Sequence, residues 1–206
     1  MPDRVDAYYD FRSPYAHFAN HRLNTGAVPA LREVEWRWRP VSIDILLNLQ
    51  AGREPWAAYV DPLSPPKRAH FMADLRRMSG FYGAPLRTPN PPRPNTVPAL
   101  CVAHRLEGAA QEIFRNAVFT ALWREQMDVA DVEVLKVCLN QAGADESLAD
   151  AAFSAESRDG LAERTVEAYA AGVFGVPTFV HDGEVFFGAD RLDLLAWKLE
   201  RRVTKA

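Results

Sequence analysis

The chain has 206 residues, of which 48% are hydrophobic and 25% charged, and its net charge is -3. That size suits one domain, or one domain carrying an insertion, with enough apolar side chains for a real core. The slightly acidic balance speaks against a general nucleic-acid binder, and no apolar run approaches the ~20 residues of a membrane span.

Residues 4–11, Arg-Val-Asp-Ala-Tyr-Tyr-Asp-Phe, are rich in aromatic and β-branched side chains and read as a short strand. Ser13 then falls where a helix N-cap belongs, and Pro14 takes the first helical position, where its missing N–H costs nothing. A strand running straight into a helix start puts the Ser13 hydroxyl at the positive end of a helix dipole. Such a point favours an anion, and a thiolate is one. On local sequence alone a plain helix cap also accounts for Ser13. The helix continues over 14–23, with His17 and His21 four apart. Two ligands on one helix without a third do not hold a metal, so no metal is expected and the two histidines read as surface or rim residues.

Residues 34–41 alternate as a second, half-buried strand, completing a β-α-β unit. A short helix over 42–49 ends at Gly52. Residues 53–66 carry Pro55, Pro62, Pro65 and Pro66, too many breakers for a long element. The next helix spans 66–80 and includes Lys67. Between 85 and 98 lie six prolines. A solvated linker is one reading of that stretch, and a rigid extended loop packed on the protein is preferred, because apolar helices flank it closely. Helical spacing then recurs over 99–106, 111–127, 129–142, 148–153 and 157–171. Strands at 176–179 and 185–187 flank the turn dipeptide Asp182-Gly183, and Asp190 caps a last helix over 191–202. Cys101 and Cys138, the two cysteines, lie in apolar helical surroundings and read as buried free thiols. With no hydrophobic signal region at the N-terminus, the expectation is a cytoplasmic protein free of disulfides.

Three motifs occur in order: Asp10-Phe11-Arg12-Ser13-Pro14-Tyr15 after the first strand, Gly175-Val176-Pro177-Thr178-Phe179 late in the chain, and 187–195, Phe-Gly-Ala-Asp-Arg-Leu-Asp-Leu-Leu. Together they resemble the 2-hydroxychromene-2-carboxylate isomerase family, which is close to kappa-class glutathione transferases and to the DsbA branch of the thioredoxin superfamily. The resemblance runs from about Val5 to Leu199. It implies an α/β, thioredoxin-like fold in which residues 1–41 and 173–206 form the thioredoxin-like domain and residues 42–172 a large all-helical insertion.

Thioredoxin-type disulfide exchange needs a Cys-x-x-Cys pair at the first helix, and the corresponding residues here are Ser13-Pro14-Tyr15-Ala16. Without those thiols the architecture has to act on a thiol carried by a ligand. The resemblance implies that this ligand is glutathione, with its sulfur meeting the Ser13 hydroxyl beside Pro14 and Tyr15. It further implies a cis Val176-Pro177 bond whose backbone groups pair with the glutathione peptide. Ala189 and Asp190 would hold the γ-glutamyl end, and Lys67 a carboxylate. Each position also has a plain structural use, as turn, cap or solvated helix residue. Arg53 stands where the family tends to have asparagine; it offers donors but no acceptor, and its loop borders the second pocket. Arg37, Arg39 and Arg53 are candidate partners for a substrate carboxylate.

The activity so implied is a glutathione-dependent cis-trans isomerisation of 2-hydroxychromene-2-carboxylate or a similar unsaturated aromatic pyruvate, a step of aromatic catabolism, carried out by a cytoplasmic homodimer on a small-molecule aromatic substrate. A kappa-like glutathione transferase or peroxidase would use the same Ser13 with another acceptor. A protein that binds a thiol or peptide without chemistry fits the sequence as well.

Overall fold

Along Arg4–Tyr9 the side chains of Val5, Ala7 and Tyr9 are buried and those between them are not. This period of two makes the segment a strand, β1, in the computed structural model, which describes residues 3–61 and 63–203. β1 stops two residues short of the expected end because Asp10 turns the chain. Its carboxylate accepts the Arg12 N–H at 2.9 Å, and its carbonyl accepts the Ser13 N–H at 3.0 Å. Helix α1 (Pro14–Asn24) starts directly after that turn, and β2 (Glu35–Pro40) returns parallel to β1, from Arg4 opposite Glu35 to Tyr9 opposite Pro40.

Among the described residues, seven helices follow before the sheet resumes: α2 (Ile43–Gln50), α3 (Pro65–Tyr82), α4 (Val97–His104), α5 (Gly108–Trp123), α6 (Val132–Gln141), α7 (Ser147–Ala151) and α8 (Ala155–Ala170). The expected helix over 111–127 closes early. Gln126 adopts φ 59°, and the Met127 N–H returns to the Ala121 carbonyl at 2.9 Å. β3 (Thr178–His181) and β4 (Glu184–Phe187) form the expected hairpin, with Asp182 and Gly183 at φ 48° and 78°, the left-handed pair that a tight two-residue turn requires. β3 is antiparallel to β1, and helix α9 (Arg191–Val203) ends the described chain. The strand order is β2-β1-β3-β4, a thioredoxin-like arrangement of one parallel and two antiparallel pairings.

The apolar residues sort into packed groups that explain how the long helical segment sits on the sheet. Val5, Ala7 and Phe179 pack with Phe18 and Ala19 of α1, Leu75 of α3, and Leu192 and Leu195 of α9. Tyr9 and Phe11 instead enter a second core built mainly by α4, α5 and α6. One strand therefore feeds both cores. The proline-rich segment 85–98 is the packed loop that was preferred, with Pro89, Pro94, Thr96 and Pro98 buried and the Arg87 N–H donating to the Trp123 carbonyl at 2.7 Å. Its Asn90-Pro91 bond is cis, which the sequence did not announce.

His17 departs from the expectation of a rim residue. It is buried, its ring stacked on Trp123 with centroids 6.0 Å apart and its Nε2 2.9 Å from the Pro85 carbonyl. Burial lowers its pKa to about 4 and keeps it neutral. Cys101 and Cys138 are buried free thiols, and burial raises each to about 11. Among the described residues, no helix is long and apolar enough to cross a membrane.

Asp10 is the most densely bonded buried acid. Besides Arg12, its Oδ1 accepts the Thr96 hydroxyl at 2.7 Å, and its Oδ2 accepts the Ile43 N–H at 2.9 Å. The β1–α1 turn, the start of α2 and the start of α4 thus meet on one carboxylate. Asp10→Ala leaves three donors unanswered and is expected to lower stability by about 3 kcal/mol, against about 1 kcal/mol for Thr96→Val, both read from urea midpoints. The depressed His17 pKa also sets a pH dependence. Between pH 6.5 and 4 the unfolded chain protonates this imidazole and the fold does not, so stability falls as pH falls through that window. His17→Phe should flatten the fall by about 2–3 kcal/mol in urea titrations at pH 7 and pH 4.5. An unchanged difference between the two pH values would place the titration elsewhere.

Candidate active site

Ser13 is 3% exposed and caps α1 from an extended backbone, its Oγ accepting the Ala16 N–H at 3.2 Å. The same hydroxyl donates across the fold to the Val176 carbonyl, also at 3.2 Å. That is longer than the usual 2.5–3.0 Å for a hydroxyl donor, so the bond is weak and easily redirected. The Val176-Pro177 bond is cis, and the strand expected to begin at 176 begins instead at Thr178. Thr178 fixes the loop by donating its hydroxyl to the Gly175 carbonyl at 2.7 Å.

The third segment arrives through Gly188, whose N–H donates to the Pro177 carbonyl at 2.9 Å. At φ 115°, a backbone conformation that L side chains rarely adopt, position 188 strongly favours glycine. Ala189 is buried and its carbonyl accepts Arg22 Nη1 at 2.9 Å. Arg22, itself buried on α1, also pairs with Asp193 at 2.7 Å and lies 4.7 Å over the Tyr82 ring. One arginine thereby fixes the start of α9 against α1. Asp190 is exposed and paired with Arg191 at 3.1 Å.

The structure therefore brings Ser13, Pro14, Val176, Pro177 and Ala189 together, with Asp190 beside them. Tyr15 faces the adjoining rim. Its ring packs edge-on against Phe71 of α3 at 5.7 Å and its hydroxyl donates to Asp74 Oδ2 at 3.1 Å. Burial first, then the Asp74 bond and nearby charges including Asp190, push its phenol up to about 12, so it stays neutral. Lys67 is exposed in the first turn of α3, one turn before Phe71 and so on the same side of that helix.

Arg53 is not brought to Ser13 by any contact. Its Nη1 donates to the Ala58 carbonyl at 3.0 Å, inside a loop that Asn48 also holds through the Pro55 and Ala57 carbonyls. Arg37 and Arg39 pair with Asp6 at 2.6 and 3.1 Å. Asp6 alternates with Val5 and Ala7, which pack against α1, so these two arginines lie on the sheet face opposite α1 and Ser13.

A polar cluster beside Ser13 had no counterpart in the sequence reading. Arg12 forms a two-pronged ion pair with Asp44, one contact being Nη1 to Oδ2 at 2.9 Å, and Arg93 Nη2 adds a contact to the same Oδ2 at 2.8 Å. Burial works against the Asp44 charge, but the two arginines outweigh it and hold the carboxyl below its ordinary range. The Arg93 guanidinium lies 3.3 Å over the Tyr59 ring. Arg12 could have been flagged as the neighbour of Ser13. Its meeting with Arg93 across 81 positions leaves no local trace.

Comparison with known proteins agrees with this architecture. The DSBA-like thioredoxin domain family matches residues 4–200. A 2-hydroxychromene-2-carboxylate isomerase of Sphingobium xenophagum is 30% identical over 95% of this chain and 97% of its own length. One from Pseudomonas sp. (strain C18) is 30% identical over 93% and 87%. Among solved structures, a 2-hydroxychromene-2-carboxylate isomerase superposes with a TM-score of 0.81 at 26% identity over 98% and 97% of the two chains. A probable DsbA oxidoreductase of Streptomyces coelicolor shares the fold with a TM-score of 0.72 at 20% identity over 99% and 91%. The chain thus belongs to the DsbA-like thioredoxin family and, within it, to the family of 2-hydroxychromene-2-carboxylate isomerases.

Proposed function

We propose that this protein is a glutathione-dependent cis-trans isomerase acting on 2-hydroxychromene-2-carboxylate or a similar unsaturated aromatic pyruvate. The observation that carries the reading is Ser13: a buried hydroxyl at the N-terminus of α1, facing the 175–178 loop where a disulfide oxidoreductase would need a thiol. The relatives named as isomerases of this kind support the reaction class.

The donor set fits a tripeptide with one thiol, an amine and two carboxylates. Ser13 offers a hydroxyl for the sulfur, and the Val176 carbonyl accepts an amide N–H in the manner of an added strand. Asp190 and the first turn of α9 suit an amine and a carboxylate, and Lys67 suits the second carboxylate. Bound glutathione supplies a nucleophilic thiolate, whose reversible addition to the conjugated alkene makes a single bond that can rotate. Ser13 and the α1 dipole favour thiolate over thiol and so raise the fraction of nucleophile. Tyr15, a neutral phenol tied to Asp74, adds no negative charge beside the sulfur.

Purified protein with glutathione should isomerise the chromene carboxylate and leave an electrophilic aromatic halide unconjugated. Conjugation instead would favour the transferase reading, and binding without turnover a plain thiol-binding protein. Ser13→Ala is expected to lower kcat on the order of 10²-fold while the glutathione Kd stays within a few-fold, because the lost hydrogen bond acts mainly on the charged sulfur. Thiolate absorbance followed against pH gives an independent check. The bound thiol should titrate below free glutathione in wild type and move back towards it in Ser13→Ala; an unshifted wild-type titration would remove the role of Ser13.

A further inference from the structure

A cavity of about 210 Å³ is lined by Arg12, the residue before Ser13, together with Asp10, Ser42, Asp44, Arg93, Asn95 and Thr96. Its charges are unevenly committed. Asp10 already receives three donors, from Arg12, Thr96 and Ile43, and is used in holding the fold. Asp44 is the carboxylate that both guanidinium groups touch, while Asp10 receives only backbone N–H groups and a hydroxyl. Arg12 grips Asp44 with both terminal nitrogens from a position that is largely buried. Arg93 touches it with one nitrogen, and its side chain is 44% exposed.

This asymmetry makes Arg93 the member that can be redirected at the lower cost. If it turns from Asp44 to an incoming anion, Asp44 keeps its two-pronged partner and no buried charge is stranded. The ring of Tyr59 lies against the Arg93 guanidinium and supports it from one side. At about 210 Å³ the cavity has room for a carboxylate with its adjoining keto carbon, and a substrate ring would stay at its rim. Arg37 and Arg39 lie on the opposite sheet face and Arg53 is bound within its own loop, so none of these three reaches the cavity.

We propose that Arg93, poised on Asp44 beside Arg12 and laid over Tyr59, is the specificity residue that selects the carboxylate of the aromatic substrate, with this cavity as the carboxylate subsite. The inference rests on the isomerase reading for the identity of the substrate, but the subsite's preference for aromatic carboxylates can be measured without turnover.

The test uses the full chain and two probes that undergo no isomerisation chemistry of interest, trans-2-hydroxycinnamate and its uncharged amide, titrated by calorimetry. Wild type should bind the acid at least about tenfold more tightly than the amide, as expected when a charge-assisted pair is lost. Arg93→Met should lose about tenfold or more for the acid and nothing for the amide, and Arg93→Lys should recover part of the loss. In turnover with the chromene carboxylate, Arg93→Met should raise KM by a similar factor, with kcat within about threefold and the glutathione Kd unchanged. Wild type that binds acid and amide alike, or neither, overturns the proposal, as does an Arg93→Met variant that binds the acid as wild type does. Selective binding of the acid by a wild type that turns over nothing with glutathione would instead sink the isomerase reading and leave the subsite standing.

Discussion

The Asp10 carboxylate is the constraint on which the geometry around Ser13 depends. An unpaired carboxylate taken from water loses several kcal/mol, and burial does push the Asp10 carboxyl upward in pKa. The site tolerates it because the lone pairs meet a backbone N–H on each side and a threonine hydroxyl, with the Arg12 guanidinium two residues along the chain. What the three bonds achieve is convergence. The end of β1, the start of α2 and the start of α4 are separated by up to 86 positions in sequence, yet they share one acceptor. The backbone of Asp10 then sets Ser13, whose N–H donates to its carbonyl. The orientation of the functional hydroxyl is thus inherited from a buried acid three residues earlier.

A second fastening acts from the other side of the site. Arg22 reaches from the last turn of α1 to the Ala189 carbonyl and to Asp193, so α1 and the start of α9 cannot drift apart there without stranding a buried guanidinium. Behind them, Tyr9 and Phe11 carry the strand into the helical core, where Trp123 donates to the Phe11 carbonyl at 2.8 Å. Arg115, fully buried in the same region, lies 3.7 Å over the Trp38 ring, and burial lowers its pKa to about 10, still well above neutrality. The helical segment is therefore keyed to the sheet by polar contacts inside apolar packing, which fixes register more sharply than apolar contact alone.

Much of this was legible in the chain because it rests on local chemistry. Ser13-Pro14 marks a helix start, Asp182-Gly183 a tight turn, and alternation over 34–41 a second strand, which the fold realises over Glu35–Pro40. The misplacements share a cause. His17 looked solvent-facing because a histidine on a helix usually is, whereas Trp123 and the Pro85 carbonyl, both distant in sequence, enclose it. The helix over 111–127 kept its apolar spacing past Trp123, and only the left-handed backbone at Gln126 stopped it. Arg53 has the composition of a ligand-binding arginine, but its guanidinium answers the nearest carbonyl in its own loop. Side-chain type announces which bonds a residue is able to make. Which bond it does make is decided by the partners that the tertiary fold delivers.

The mutual bond between Ser13 and Val176 bears on what kind of ligand this architecture selects. A hydroxyl has one proton to give, and here it goes to a carbonyl that lies in the loop a peptide would pair with. Turning that proton towards a sulfur leaves the Val176 carbonyl, on a residue 5% exposed, without its donor. A simple thiol would satisfy the serine and leave the carbonyl unanswered, which offsets most of what the new bond contributes. A thiol carried on a peptide answers both at once, with the sulfur accepting from Ser13 and an amide N–H donating to Val176. On the proposed reading, selectivity for a peptide thiol over a small one therefore arises from the mutual pairing of Ser13 and Val176, before any contact from Lys67 or Asp190 is counted.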